Sequence, residues 1–267
     1  MKVGVIGAGK IGEALISGLI KAGYAKPEDL IASDINDERR RHIASAYGVR
    51  CTKDNVEVAR SSEVIILSVK PKDVASVLEE IKEALTPSHL LISVAAGVAT
   101  SYIARVLGKP IPIVRAMPNV AVLVREGMTA ITAGPNANER HLKVAEELFS
   151  AVGKTVRLRE EYFDAVTALS GSGPAYMFLI IEAMTDAGVR VGLPRDMASL
   201  LSSQTALGAA KLLLETGEHP AKLREMVTTP AGVTIEGLIE LERGGIRTTI
   251  IEAVTRATRR SKELLAS

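Results

Sequence analysis

The stretch Lys2-Val3-Gly4-Val5-Ile6-Gly7-Ala8-Gly9-Lys10-Ile11-Gly12 decides the fold. Val3, Val5 and Ile6 make a short apolar run of the kind that forms a buried strand. Gly7, Gly9 and Gly12 follow in the spacing G-x-G-x-x-G, and Ala14, Leu15, Leu19 and Ile20 continue at helical spacing. A strand, a glycine turn and a helix in that order make an otherwise common pattern informative. Gly7 permits a tight turn with a φ closed to other residues. A side chain at Gly9 would keep a pyrophosphate from the backbone, and Gly12 lets the helix pack close to the strand. The helix start then offers free N–H groups and a partial positive charge to phosphates. The plain alternative is a glycine-rich turn with no ligand. Asp34, further along, moves the balance to a dinucleotide site.

Asp34 ends a second apolar run, Leu30 to Ser33, and lies 22 residues past Gly12. An acidic side chain there hydrogen-bonds the adenosine ribose hydroxyls and repels a 2′-phosphate, which favours NAD over NADP. Arg39, Arg40 and Arg41 sit just beyond and could neutralise that phosphate instead. A solvated helix face is the better reading for at least two of them. Local chemistry therefore leaves NAD(H) and NADP(H) both open.

Strands and helices alternate through Arg159, which means an α/β sheet, mostly parallel. Helices are expected over Asp37–Tyr47, Lys72–Leu85, Thr100–Leu107 and Asn138–Val152, with a short one over Val56–Arg60. Cys51 to Asn55 reads as a connection. Strands are expected at Val64–Val69, Leu90–Val94, Ile111–Arg115, Met128–Thr132 and Thr155–Leu158. In a doubly wound sheet, ligands sit outside the carboxyl ends of the strands. That places Ser68, Val69 and Lys70 toward the nicotinamide half of a cofactor, although Lys70 reads equally well as an exposed strand-end lysine. Ala95, Ala96 and Gly97 end another strand and suit the close approach of a flat ring. Asn119 ends the next and could donate to a carboxamide or a substrate; a turn-forming Asn is the competing reading.

Strand signals vanish after Arg159. Residues 175–181 are all apolar, and such a helix is expected to be covered on every face. Asp196 to Leu214 is a second long helix with almost no charge before Lys211. Two such helices need more partner surface than one small helical domain offers, so a tight homodimer follows. Thr228 or Thr229 could cap a helix beginning near Pro230, and the N–H groups of Gly232, Val233 and Thr234 could hold an anion. An ordinary capped helix start is the equal alternative.

The chain has 267 residues, 47% of them apolar, so one large or two ordinary domains with a substantial core are possible. A net charge of +2 gives no electrostatic case for nucleic acid or an anionic membrane, and 3% aromatics without Trp gives no base-stacking platform. Cys51 is the sole cysteine, which fits a reducing compartment. No apolar run is long enough to cross a bilayer, and the glycine turn leaves no room for a signal peptide. A cytoplasmic protein with no nucleic-acid or membrane partner is expected. Four His and one Cys offer no metal-ligand cluster.

Six segments together resemble the pyrroline-5-carboxylate reductase family. They are Gly7 through Gly12, Ser68-Val69-Lys70-Pro71, Met117-Pro118-Asn119, Leu169 through Tyr176, Gly192-Leu193-Pro194, and Thr228 through Thr234 with Ile235. The resemblance covers essentially the whole chain. Its last three pieces are specific, whereas the first is shared by many dehydrogenases. Family members often carry glycine where this chain has Ala231. The resemblance implies a Rossmann-type dinucleotide-binding domain over 1–159. It also implies an all-α substrate-binding and dimerisation domain over 160–267, which interlocks two subunits, sometimes in larger rings of dimers. The implied activity is reduction of 1-pyrroline-5-carboxylate to L-proline by NADPH or NADH. For the cofactor it implies Gly7, Gly9, Lys10, Ile11, Gly12 and Asp34 at the phosphates and ribose. Asn55 looks like the family's adenosine-ribose contact, with Ser68, Val69, Lys70, Pro71 and Ala95 further along. For the substrate it implies the carboxylate-holding turn Gly232, Val233 and Thr234, with Asn119 and Val120. Thr234 supplies the hydroxyl near the ring nitrogen.

Two other functions compete. A 3-hydroxyacid dehydrogenase of similar architecture places a catalytic Lys on the long interdomain helix, and residues 175–188 contain none. A nucleotide-sensing regulator without turnover would not need an imine-binding turn.

Overall fold

The computed structural model describes residues 1–266, with side chains through Glu263. Strand β1 (Val3–Ile6) is wholly buried and leads through the glycine turn into α1 (Lys10–Lys21). The chain then alternates through β2 (Leu30–Ser33), α2 (Asp37–Tyr47), β3 (Arg50–Thr52), α3 (Asn55–Arg60) and β4 (Val64–Leu67). It continues through α4 (Val74–Ile81), β5 (Leu90–Ser93), α5 (Thr100–Leu107) and β6 (Ile113–Met117). A 3-10 turn over Val120–Val124 leads to β7 (Gly127–Ala133), α6 (Glu139–Ser150) and β8 (Gly153–Arg157).

The strands stand in the order β3-β2-β1-β4-β5-β6-β7-β8. Neighbours are parallel except β6 with β7. The mostly parallel α/β sheet expected from the sequence is therefore what the chain forms. The direction of winding reverses at β1, so a crevice opens at the carboxyl ends of β1 and β4. Side chains alternate across the sheet with period two. Ile66 faces the layer built by Leu15, Ile16, Ile43 and Phe149 of α1, α2 and α6. Ile65 and Leu67 face Val58, Leu78 and Ile103 of α3, α4 and α5. Both faces are covered, which is why these strands read as unbroken apolar runs.

One local expectation is corrected. Residues from Cys51 onward do not simply connect: Arg50–Thr52 pairs in parallel with β2 as the sheet's edge strand. Three half-exposed residues are too few to carry a periodic signal.

The chain divides into two compact units, residues 1–172 together with the chain from Ala257, and Gly173–Arg256. Packing, not the change to all-helix at Glu160, sets this division. Glu160 Oε1 accepts from the backbone N–H of Thr100 (2.8 Å) and from Arg115 Nη1 (3.1 Å), and Oε2 accepts from Thr100 Oγ1 (2.7 Å). Helix α5 has Ala99 at its N-cap and no capping side chain of its own, so Glu160 satisfies its first turn from a distance. The Arg115 guanidinium, 4% exposed as a residue, also lies 4.7 Å from the centroid of the Phe163 ring. Phe163 is buried in α7 (Phe163–Val166), which runs into a π-helical turn over Thr167–Gly171. Ser261 Oγ, near the chain's end, donates to Asp164 Oδ1 (2.6 Å).

The second unit is helical: α8 (Gly173–Arg190), α9 (Arg195–Thr216), α10 (Pro220–Met226), α11 (Val233–Arg243) and α12 (Ile246–Ala266) as far as Arg256. Gly188 brings α8 and α9 together, since a Cβ there would stand 2.8 Å from Ala198 Cβ. The apolar run of α8 is not covered within a single chain: Phe178 is 64% and Leu179 66% exposed, and Leu200, Leu201 and Leu207 of α9 are exposed too. Among the described residues no helix is long and apolar enough to cross a membrane.

Two substitutions should move stability in opposite directions. Glu160→Ala leaves a buried guanidinium without its carboxylate and should cost about 3 kcal/mol, read as a lower urea midpoint. Thr129 Oγ1, on a residue 1% exposed, has no hydrogen-bond partner. Thr129→Val should therefore raise the same midpoint by the equivalent of about 1 kcal/mol.

Candidate active site

The glycine turn is held from both sides. Gly7 N–H donates to Ser33 O of β2 (2.8 Å), and Ser68 N–H donates to Ile6 O (2.8 Å). Gly7 has φ +95°, and a Cβ on it would stand 2.6 Å from Ser68 O, so both backbone conformation and space demand glycine. Gly12 faces the Gly7 carbonyl too closely for any side chain, which sets α1 tight against the turn. Gly9 is different: nothing lies within 4 Å of the place its Cβ would take. It is the N-cap of α1 and no side chain caps that helix. An open, uncapped helix start beside a glycine with free space fits a pyrophosphate.

Asp34 stands at the lip of this turn. Its Oδ2 accepts from Ala8 N–H (2.9 Å) and its Oδ1 from Asn36 N–H (2.8 Å). Two of a carboxylate's four lone-pair positions stay available for a ribose diol. The arginines of α2 are not the solvated face that the sequence suggested for most of them. Arg39 donates through Nε (3.0 Å) and Nη2 (2.8 Å) to Ala8 O, and Nη2 also reaches Glu13 Oε2 (2.5 Å). Arg40 Nη1 donates to Asp34 O (2.7 Å) and Ile35 O (3.0 Å), with Nη2 on Asp37 Oδ1 (2.9 Å). Arg41 alone is largely in solvent, paired with Asp37 at 2.5 Å. Helical spacing marks a residue's direction but not the backbone carbonyls of a neighbouring turn, so these contacts carry no signal in the sequence.

Glu13, which no motif in the sequence marks, gathers the rest of this cluster. His42 Nε2 lies 2.6 Å from its Oε1, and Tyr47 Oη donates to the same oxygen (3.0 Å). Burial alone would raise its pKa, but the hydrogen bonds from Arg39, His42 and Tyr47 outweigh that and hold the carboxyl down at about 2.

The other expected cofactor residues fall at the carboxyl ends of the central strands. Ser68 and Val69 follow β4 and are half-buried, Lys70 is exposed, and Pro71 opens a 3-10 turn. Ala95 is buried just past β5. Asn55 Oδ1 accepts from Ser33 Oγ (2.7 Å) and its Nδ2 donates to Glu80 Oε2 (2.8 Å), which fixes the amide beside the end of β2. Asn119 is heavily used within the protein. Its Oδ1 accepts from Ala121 N–H (3.2 Å) and Met128 N–H (3.3 Å), and its Nδ2 donates to Ser170 O (3.2 Å). Asn119 thereby ties the π-helical turn to the end of β6, leaving one amide N–H for anything else; Val120 beside it is half-buried.

In the second unit the expected cap is corrected. Helix α11 begins at Val233, not near Pro230, and Gly232 is its N-cap with no capping side chain. Thr228 Oγ1 donates back to Arg224 O (2.7 Å) instead. Gly232 N–H donates to Thr229 O (3.0 Å), closing a four-residue turn with Pro230 and Ala231 at its centre. Ala231 has φ +54°, in the turn position that favours glycine. The turn takes up the residues that a cap would have used and leaves the start of α11, with Gly232, Val233 and Thr234, free of side-chain acceptors.

The Glu13 cluster has a pH signature. The carboxyl is depressed on folding, so its contribution is intact above pH 4.5 and is lost as pH falls toward about 2. After solvent screening of this partly exposed cluster the drop should be about 1–2 kcal/mol. The urea midpoints of wild type and Glu13→Gln should converge over that range, and a constant gap between them would refute the assignment.

Residues 160–264 match the family model described as pyrroline-5-carboxylate reductase dimerisation, and residues 2–97 one described as NADP oxidoreductase coenzyme F420-dependent. The pyrroline-5-carboxylate reductase of Methanosarcina acetivorans is 48% identical over 263 residues, 98% of this chain and 97% of its own. Among solved structures, the pyrroline-5-carboxylate reductase of Coxiella burnetii superposes with a TM-score of 0.91 at 39% identity, covering 98% of each chain. The Plasmodium falciparum pyrroline carboxylate reductase, solved with NADP bound, gives 0.90 at 32% identity, covering 99% of this chain and 98% of its own. These matches span the glycine-turn unit and the helical unit alike, and the chain belongs to the pyrroline-5-carboxylate reductase family.

Proposed function

We propose that this chain reduces 1-pyrroline-5-carboxylate to L-proline with NAD(P)H, the last step of proline biosynthesis. The identity to reductases of that name over nearly the full length of both chains carries the reading. Reduction of the cyclic imine adds a hydride to the carbon and a proton to the nitrogen of one C=N bond. The nicotinamide, when bound, supplies the hydride. What remains for the chain is binding, orientation and the nitrogen's proton.

The residues divide that work. Gly7, Gly9, Lys10, Ile11 and Gly12 hold the pyrophosphate, with Asp34 and Asn55 at the adenosine ribose. Ser68, Val69, Lys70, Pro71 and Ala95 flank the nicotinamide half. The N–H groups of Gly232, Val233 and Thr234 take the substrate carboxylate, where an uncapped helix start favours an anion. Asn119 and Val120 complete the substrate contacts. Thr234 Oγ hydrogen-bonds the ring nitrogen or relays a proton from water; a threonine hydroxyl is too weak an acid to be the final source. Fixing the carboxylate holds the imine in one orientation, and this positioning is the larger part of the rate enhancement.

The uncovered apolar faces of α8 and α9 are those of a homodimer, and larger rings of dimers can be built on it. The domain boundary between nucleotide and substrate functions is placed at Arg159 and Glu160, and the working compartment is the cytoplasm.

The direct test follows nicotinamide absorbance on adding pyrroline-5-carboxylate; no oxidation of either NADH or NADPH would sink the reading. Thr234→Ala should lower turnover roughly 10²-fold, the low end for loss of acid–base assistance. Unchanged steady-state rates in that variant would remove Thr234 from the mechanism.

A further inference from the structure

The rim where the adenosine ribose would sit carries three arginines of α2 and three carboxylates: Glu13 of α1, Asp34 just past β2 and Asp37 of α2. Every guanidinium already has a partner there. Arg39 is committed twice, to the Ala8 carbonyl and to Glu13, and Arg40 is folded onto the carbonyls of Asp34 and Ile35. Asp37 pairs with both Arg40 and Arg41. His42 and Tyr47 both hold Oε1 of Glu13 and Arg39 holds Oε2, so Arg39 cannot leave without unpairing one oxygen of a half-buried carboxylate. Asp34 is pinned by two backbone N–H groups and cannot swing aside to admit an anion.

We infer that this chain discriminates at the 2′ position of the adenosine ribose and takes NADH in preference to NADPH, with Asp34 as the specificity-determining residue and Glu13 as the positioning residue that keeps Arg39 away from a 2′-phosphate. A ribose diol presents two hydroxyls that can donate to the remaining lone pairs of Asp34. A 2′-phosphate is a multiple anion brought against a carboxylate, and the rim's own positive charge is already balanced. Arg41 pairs only in solvent and can turn at little cost, which makes the discrimination a preference and not an absolute exclusion. Lys53 is exposed on the connection between β3 and α3 and is a cation that the test includes. A preference for NADH of about tenfold or more is the expected scale for like charge set against like charge.

The test is equilibrium binding to the full-length enzyme without substrate. Reduced-nicotinamide fluorescence reads NADH and NADPH. Calorimetry reads ADP-ribose and its 2′-phosphorylated form, which lack the reacting ring altogether. Wild type should bind the unphosphorylated member of each pair about tenfold tighter or better. Asp34→Ser should weaken NADH, strengthen NADPH and shrink or invert the ratio. Glu13→Gln should strengthen the phosphorylated ligands alone, by releasing Arg39. Its thermal midpoint, taken alongside, separates release of the arginine from a folding defect, and Asp34→Ser does not touch that cluster. Wild type binding NADPH as tightly as NADH would overturn the inference. So would NADPH binding that Lys53→Ala abolishes, which would move the discriminating charge from Asp34 to Lys53. Failure to bind any of the four ligands would overturn the nucleotide site itself, a result distinct from equal affinity for both coenzymes.

Discussion

The close approach of α1 to the end of β1 is the constraint on which the nucleotide unit depends. Gly12 meets the Gly7 carbonyl with no room for a methyl group, and Gly7 meets the Ser68 carbonyl in turn. Three backbones thus converge at the point where β1, β4 and α1 meet. That convergence brings the carboxyl ends of the central strands and the positive end of a helix to one place. An alanine at Gly7 or Gly12 would push α1 off the sheet and take the uncapped N–H groups with it. The open space over Gly9 has value only because its neighbours are so crowded.

A second set of polar contacts holds the periphery to this centre, and it follows the same logic of shared acceptors. Glu160 caps a helix that has no cap of its own and neutralises Arg115, which the sheet buries. Asn119 spends nearly all its hydrogen-bonding capacity on the backbone N–H groups of Ala121 and Met128 and on the carbonyl of Ser170. Buried polar groups of this kind add little to stability when satisfied and cost much when orphaned. Their effect is to fix where the 160–172 segment lies, so that a helical stretch belongs by packing to the sheet.

The nucleotide rim and the start of α11 show two ways of leaving backbone N–H groups available. At the rim, side chains that could compete are tied to carbonyls and carboxylates. At α11, the four-residue turn closing on Thr229 uses up the residues that could have capped the helix, at the expense of placing Ala231 at positive φ. Threonine would ordinarily cap such a start, and the turn turns Thr228 back to α10.

The sequence alone determined the class of sheet, the order of its elements, the place of the glycine turn and the family, because apolar periodicity and glycine spacing act locally along the chain. It determined too that α8 and α9 are too apolar to stand in water uncovered. Only the tertiary structure decided the edge strand at Arg50–Thr52, the true start of α11, and which unit claims residues 160–172. The partners of the α2 arginines belong with these, since Arg39 lies 31 residues from Ala8 and 26 from Glu13 and meets them only when α1 and α2 pack side by side. Contacts of that kind depend on where a carbonyl or carboxylate ends up in space, and no spacing of residue types records it.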